Sequence, residues 1–363
     1  MNFYKQKYCT KFCQFCKTLI IIDTFYKIYY NKDINKSIIA GGGMNKKLCW
    51  LMALVLALNI ISCAKKSNKT TIAVIPKGAT HEFWKSVHAG AVKAAGELNV
   101  DIIWKGPQKE DDRSQQITVV EDFITRQVDG IILAPLDDKA LVKPVEEAIS
   151  RNIPVVIIDS GIKSDKIVSF IATDNYQGGI LAGEKLAQLL NKKGKVLLVR
   201  YQEGSDSTTN REKGFIDAIK KYPGIKIVAE QYGGATTESA YKIAENMINA
   251  NPGFNGIFCC NESTTFGTLR ALEDSGKAGK VKFVGFDSSK KLVEALSRNV
   301  IQGLIVQNPM KMGELGVKTI MNHINKVQVE KRVDTGVVVA TPENMNNPEI
   351  KQVLEPDFSK YLK

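Results

Sequence analysis

What this sequence lacks narrows its function early. It has three histidines in 363 residues, and after residue 62 no grouping of His, Cys, Asp and Glu stands at ligand spacing, so no metal centre is expected there. No G-x-G-x-x-G follows the first strand-like run and there is no Walker sequence, so nucleotide use is not indicated. No nucleophile stands beside an evident base, and neither an enzyme nor a cofactor is expected. The apolar stretch from Leu48 to Leu58 is too short for a membrane-spanning helix, which needs about 20 apolar residues. Of seven cysteines only Cys63, Cys259 and Cys260 follow residue 62. The adjacent pair lies in the apolar run "GIFCC" and reads as core thiols rather than a disulfide framework.

The other four cysteines raise a separate question. Cys9, Cys13 and Cys16, in "CTKFCQFC", have the spacing of iron–sulfur ligands and resemble the motif of radical S-adenosylmethionine enzymes. Residues 44–62 weigh against that reading. Met44 is followed by Lys46, Lys47, an apolar middle and a small residue before Cys63, the pattern of a secretory signal peptide. Ile60-Ile61-Ser62-Cys63 resembles a bacterial lipobox, which implies that Cys63 is lipidated and that residues 63–69 are an anchor and linker. A signal peptide works at an N-terminus. Translation is therefore expected to start at Met44, with residues 1–43 a mis-called extension. Gly41–Gly43 then fits a ribosome-binding site read as protein, and the Lys, Tyr, Ile and Asn of residues 1–43 fit AT-rich noncoding DNA.

This matters for charge. The formal +12 would suggest nucleic acid or an anionic surface. Nine of the 50 basic and two of the 38 acidic residues lie in 1–62, so the remaining 301 carry 41 and 36, a net +5. No nucleic-acid partner is expected.

From Thr70 short apolar runs alternate with amphipathic segments. "TIAVIP", "VDIIW", "DGIILAP" and "IPVVIID" read as strands, and Phe83, Val87, Ala91, Ala94 and Leu98 mark one face of a helix. The rhythm restarts after "IATDNYQGG", with strands expected at 195–199, 225–230, 256–260, 282–287 and 303–306, and a last helix near 310–324. Continuously apolar strands imply burial on both faces, hence parallel sheets flanked by helices. The fold class is α/β, with two doubly wound parallel-sheet lobes.

Ligands in such sheets sit at the carboxyl ends of the strands. There the sequence places Lys77, His81, Phe83, Trp84, Asp159, Ser160, Arg211, Asn261, Asp287 and Gln307. Carboxylates, amides and guanidinium suit neighbouring hydroxyls, and aromatic rings suit the C–H face of a sugar. Plainer readings stand beside these. Asp159 and Asp287 could cap the following helices, as "DSTTNRE" could. Arg211 could be a surface charge, Phe83 and Trp84 could be core, and His88 fits a helix surface or core.

The stretches "TIAVIPKGATHEFW", "VDGIILAP", "IPVVIID", "IATDNYQGG", "NREKGF", "VKFVGFDSS" and "IVQNP" match in order and spacing. Through them residues 70–341 resemble the periplasmic sugar-binding proteins of the ribose/galactose type, solute receptors of ABC importers. The resemblance implies a periplasmic-binding-protein type I fold: lobes of residues 70–173 plus 308–335 and of 174–307 plus 336–363, joined by three crossovers at a hinge that closes on ligand. It implies a lipid-anchored monomer, in the periplasm or on the cell surface, that serves a membrane permease. Phe83 and Trp84 would stack on the sugar; Asp159, Arg211, Asn261, Asp287 and Gln307 would hold its hydroxyls. His81 stands where ribose binders have Asn, and Ser160 where they have Arg. Lys77 resembles the lysine of receptors for rhamnose and autoinducer-2, and the loop "GPQKEDD" leans the same way. The same fold also serves receptors for chemoreceptors or sensor kinases. It serves lac-type repressors too, but the place of their helix-turn-helix is here taken by the signal peptide.

Overall fold

Strands that are apolar on both faces must be covered on both faces, and this chain does so twice. The computed structural model describes residues 69–362. The expectations for residues 1–43, the signal peptide and Cys63 lie outside the described residues. The first half runs β1 (Thr71–Ile75), α1 (Glu82–Leu98), β2 (Asp101–Trp104), α2 (Arg113–Arg126), β3 (Gly130–Leu133), α3 (Val142–Ser150), β4 (Val155–Ile158) and β5 (Ser169–Ala172). The second runs α4 (Asn175–Leu189), β6 (Gly194–Arg200), α5 (Asp206–Lys220), β7 (Ile225–Tyr232), α6 (Thr237–Ala250), β8 (Gly256–Cys259), α7 (Glu262–Asp274), β9 (Lys282–Phe286), α8 (Lys290–Ser297) and β10 (Gly303–Gln307). Then come α9 (Pro309–Ile324), β11 (Arg332–Asp334), β12 (Val337–Ala340) and α10 (Pro348–Leu354).

The strands form two six-stranded sheets, ordered β11-β5-β4-β3-β1-β2 and β12-β10-β9-β8-β6-β7. The chain passes between the sheets after β5, after β10 and after β11. Pairing is parallel except at the edge strand β12, which runs antiparallel to β10. In the first sheet Ile72, Val74, Val156 and Ile158 face α1 and α9, while Ala73, Ile131, Leu133 and Ile157 face α2 and α3. The second sheet buries Leu198, Phe258 and Ile305 against α4 and α5, and Leu197, Ile257 and Phe283 against α6, α7 and α8. Each such Val, Leu, Ile or Phe side chain contributes about 1.5–3 kcal/mol by leaving water.

Several local expectations are corrected. Leu98 is 41% exposed although it falls on the apolar repeat of α1. It lies in the last turn, beyond the sheet, where Asn99 in the left-handed region (φ 52°) turns the chain into β2. Strand β7 alternates rather than staying apolar, because it is an edge with one face in water. The four-residue β5 was absent from the expected strands: it is short and runs at once into the hinge. The polar tail contains α10, anchored by buried Leu354.

In each half two helices cross at glycines. A Cβ on Gly179 of α4 would lie 2.0 Å from the carbonyl oxygen of Arg211, and one on Gly214 of α5 would lie 2.1 Å from that of Tyr176. Gly90 and Gly313 do the same for α1 and α9. The α4–α5 contact fixes the height of Arg211 above the second sheet. Gly179→Ala is expected to destabilise the protein by about 2 kcal/mol or more, as a lowered urea midpoint; an unchanged midpoint would show that the helices can part freely.

Candidate functional site

The carboxyl ends of the two sheets face one small cavity, of about 30 Å³. The end of β1 supplies Lys77, and the first turn of α1 supplies His81, Phe83 and Trp84. Asp159 directly follows β4 and Asp287 directly follows β9, equivalent positions of the two sheets, both with positive φ (61° and 68°). Non-glycine residues are rarely held there, and such strain collects at functional sites. The second sheet adds Asn261 and Gln307 at the ends of β8 and β10, and α5 adds Arg211. Nine of the ten residues expected from the sequence therefore line the cavity. Ser160 does not. The left-handed turn at Asp159 aims its Oγ across the cleft, where it accepts the Ser207 N–H at 3.1 Å.

The sequence reading missed Glu110, Tyr201, Ser207, Thr208 and Glu262, which complete the lining. Glu110 lies in the loop "GPQKEDD", and Ser207 and Thr208 lie in "DSTTNRE". Tyr201 follows β6, so the strand-end rule applied to that strand would have found it. Glu262 directly follows Asn261 and carries no separate signal. Neither aspartate caps the helix that follows it. Asp287 accepts the N–H of Glu262 at 3.0 Å, and the side chain that caps α7 is Asn261, which accepts from Thr264 N. His88 lies outside the cavity, stacked on Trp104 at 4.3 Å between ring centroids.

The charges are arranged in pairs. Lys77 Nζ is 2.8 Å from Asp159 Oδ2 and donates to Ser207 Oγ at 3.0 Å. Arg211 lies between the aspartates, 3.9 Å from an oxygen of each, with its guanidinium 3.9 Å over the Phe286 ring. Its Nε donates to Asn175 and its Nη1 to the Cys260 carbonyl. Gln307 Nε2 donates to Asp287 at 2.6 Å. Phe83 and Trp84 meet edge to face at 4.8 Å, and they serve both the apolar cluster beneath and the cavity wall. Among the described residues three buried side-chain polar atoms lack a hydrogen-bond partner; two belong to this cavity, the donor Arg211 Nη2 and the acceptor Gln307 Oε1.

Burial acts on His81, Glu110, Glu262 and Asp287. It would depress the His81 imidazolium, but the Glu110 carboxylate 2.6 Å away, with the charges of Glu262 and Asp287, raises its pKa to about 9. Burial would raise Glu110, yet His81 and the hydrogen bonds from Tyr201 and Trp84 lower it to about 2. Glu262 is pushed up to about 7 by burial, with the Asp287 charge adding to the effect against His81 and two backbone N–H groups. Burial also raises Asp287, against Arg211 and Gln307. Among the described residues no His, Cys, Asp and Glu cluster could hold a metal, and no helix is long and apolar enough to cross a membrane. Cys259 and Cys260 are buried free thiols.

The sequence matches the periplasmic binding protein domain over residues 72–327. The chain belongs to this family. Similar proteins include the D-ribose/D-allose-binding protein of Pseudomonas aeruginosa, 33% identical over 291 residues, with 77% of this chain and 89% of the relative covered. Among solved structures, a carbohydrate transporter solute-binding protein of Agrobacterium radiobacter in complex with D-arabinose is 36% identical at a TM-score of 0.77, covering 79% of this chain and 99% of that one. An ABC transporter solute-binding protein of Agrobacterium vitis with bound D-fucose is 38% identical at 0.76, covering 78% and 99%. The two-lobed α/β architecture is the type I fold of periplasmic binding proteins, and the cavity occupies the cleft between its lobes.

The His81 shift fixes a pH dependence. A pKa raised from 6.5 to about 9 gives stability that is full below pH 6.5 and lost as pH rises through 9. Between pH 7 and 9 unfolding free energy should fall by about 2 kcal/mol, measured by urea titration, and the fall should shrink in His81→Gln. An equal fall in the variant would assign it to another group.

Proposed function

We propose that this chain is an extracytoplasmic solute-binding lipoprotein that shuts two lobes around a monosaccharide-like ligand and hands it to an ABC importer. The observation that carries the reading is the pair of buried cleft atoms that make no hydrogen bond. One is a donor, Arg211 Nη2, and the other an acceptor, Gln307 Oε1. A hydroxyl serves both, since it donates one hydrogen bond and accepts others. Leaving such atoms unmade costs about 1–3 kcal/mol each, so a polyol that satisfies them gains that much. Cations and carboxylates nearly balance in the cleft, which favours a neutral guest over a charged one. The names of the relatives, with ribose, allose, arabinose and fucose among their ligands, agree with this class.

Binding here is reversible, and no bond of the ligand is broken. The lipid anchor at Cys63 rests on "IISC" and the signal sequence before it. A second reading, a receptor for a furanosyl signal such as autoinducer-2, draws support from Lys77 and Glu110, both of which face the cleft.

A thermal-shift screen tests this with D-ribose, D-allose, D-arabinose, D-fucose, L-rhamnose and autoinducer-2. A ligand at a hundred times its Kd should raise Tm by about 5 °C or more. Asp159→Ala and Asp287→Ala should each stay folded and lose that shift. Full shifts in both variants would mean that the ligand binds elsewhere.

A further inference from the structure

Helix α1 starts without a cap of its own. His81 before it is extended (φ −87°, ψ 149°), and its side chain makes no hydrogen bond to the helix. The imidazole is committed to Glu110 instead. The first N–H groups of a helix have no intrahelical partners and carry the positive end of its dipole. Here two of them are met from the other lobe: Glu82 N and Phe83 N donate to the two carboxylate oxygens of Glu262, at 3.3 and 3.1 Å. Glu262 opens α7, and its own N–H is held by Asp287.

We propose that Glu262 is a positioning residue, a helix cap supplied across the cleft, so that closing the lobes completes the first turn of α1. That turn carries the cavity residues His81, Phe83 and Trp84. The inference rests on reading the cleft as the ligand site, but it names a role that does not require Glu262 to touch the ligand. Parting the lobes removes both acceptors from the helix end at once. The cap therefore acts as a latch, holding the closed form and slowing release, while it leaves encounter with the open form alone. No side chain of α1 itself duplicates it, since Glu82 turns outward to Lys85.

Single-molecule energy transfer between dyes on the two lobes measures the closed-to-open ratio, without ligand and with D-ribose or D-allose as probes. Two variants separate the latch from direct ligand contact. Glu262→Gln keeps the shape and removes the charge. Glu82→Pro removes one donating N–H at the first helical position, where proline is tolerated and where the extended His81 suits the residue before it. The closed-to-open ratio should fall about tenfold in Glu262→Gln and about threefold in Glu82→Pro. Release of a bound probe should accelerate by the same factors, with association unchanged. Wild-type ratios in Glu82→Pro, or a slowed association with unchanged release in Glu262→Gln, would overturn the proposal. So would a wild-type protein with no closed fraction under either condition. A wild-type protein that closes unaided but ignores both sugars would instead count against the ligand reading.

Discussion

Arg211 is the interaction on which the cleft depends. A buried guanidinium cannot lose its proton, so it must be matched by charge and by acceptors where it lies. The helix pair α4 and α5 sets it over Phe286, and Asn175 and the Cys260 carbonyl take two of its donors. Asp287 balances it from its own lobe and Asp159 from the other. The remaining pairs respect the division of the chain. Lys77 with Asp159, and His81 with Glu110, lie within the first lobe. Each lobe thus carries its own compensation and can separate from the other without stranding a bare charge. Glu262 differs in that both of its carboxylate oxygens accept from the other lobe, whereas Glu110 reaches across with one, to Tyr201.

Such a constellation adds little to folding. Desolvation of buried ion pairs offsets most of their attraction, whereas the apolar faces of two sheets supply the stability. The paired aspartates support the same division of labour. Holding Asp159 and Asp287 at positive φ costs energy that the sheets must offset, and each sits at the same place in its sheet. A rigid scaffold holds strained polar groups at a movable junction, and hinge closure brings the two sets to one small volume.

Much of this was legible in the chain. Unbroken apolar strands require helices on both faces, and so the α/β class and the strand-end rule followed, with nine cavity residues found. The rule failed where direction depends on backbone rather than on position: Ser160 follows a strand as Asp159 does, but the left-handed turn between them sends it to Ser207. Glu110 and Glu262 escaped notice for a different reason. Their partners lie 91 and 179 residues away, at Tyr201 and Phe83, and no local pattern marks a contact of that range. Leu98 shows the limit of periodicity, which names a helix face but not where the neighbouring sheet ends.

The most direct test of the account is a crystal structure of the protein with the sugar it binds most tightly. The account predicts ligand hydroxyl oxygens at about 2.7–3.2 Å from both Arg211 Nη2 and Gln307 Oε1, inside closed lobes. A sugar seated away from these two atoms, or a cleft that takes up none at all, would contradict it.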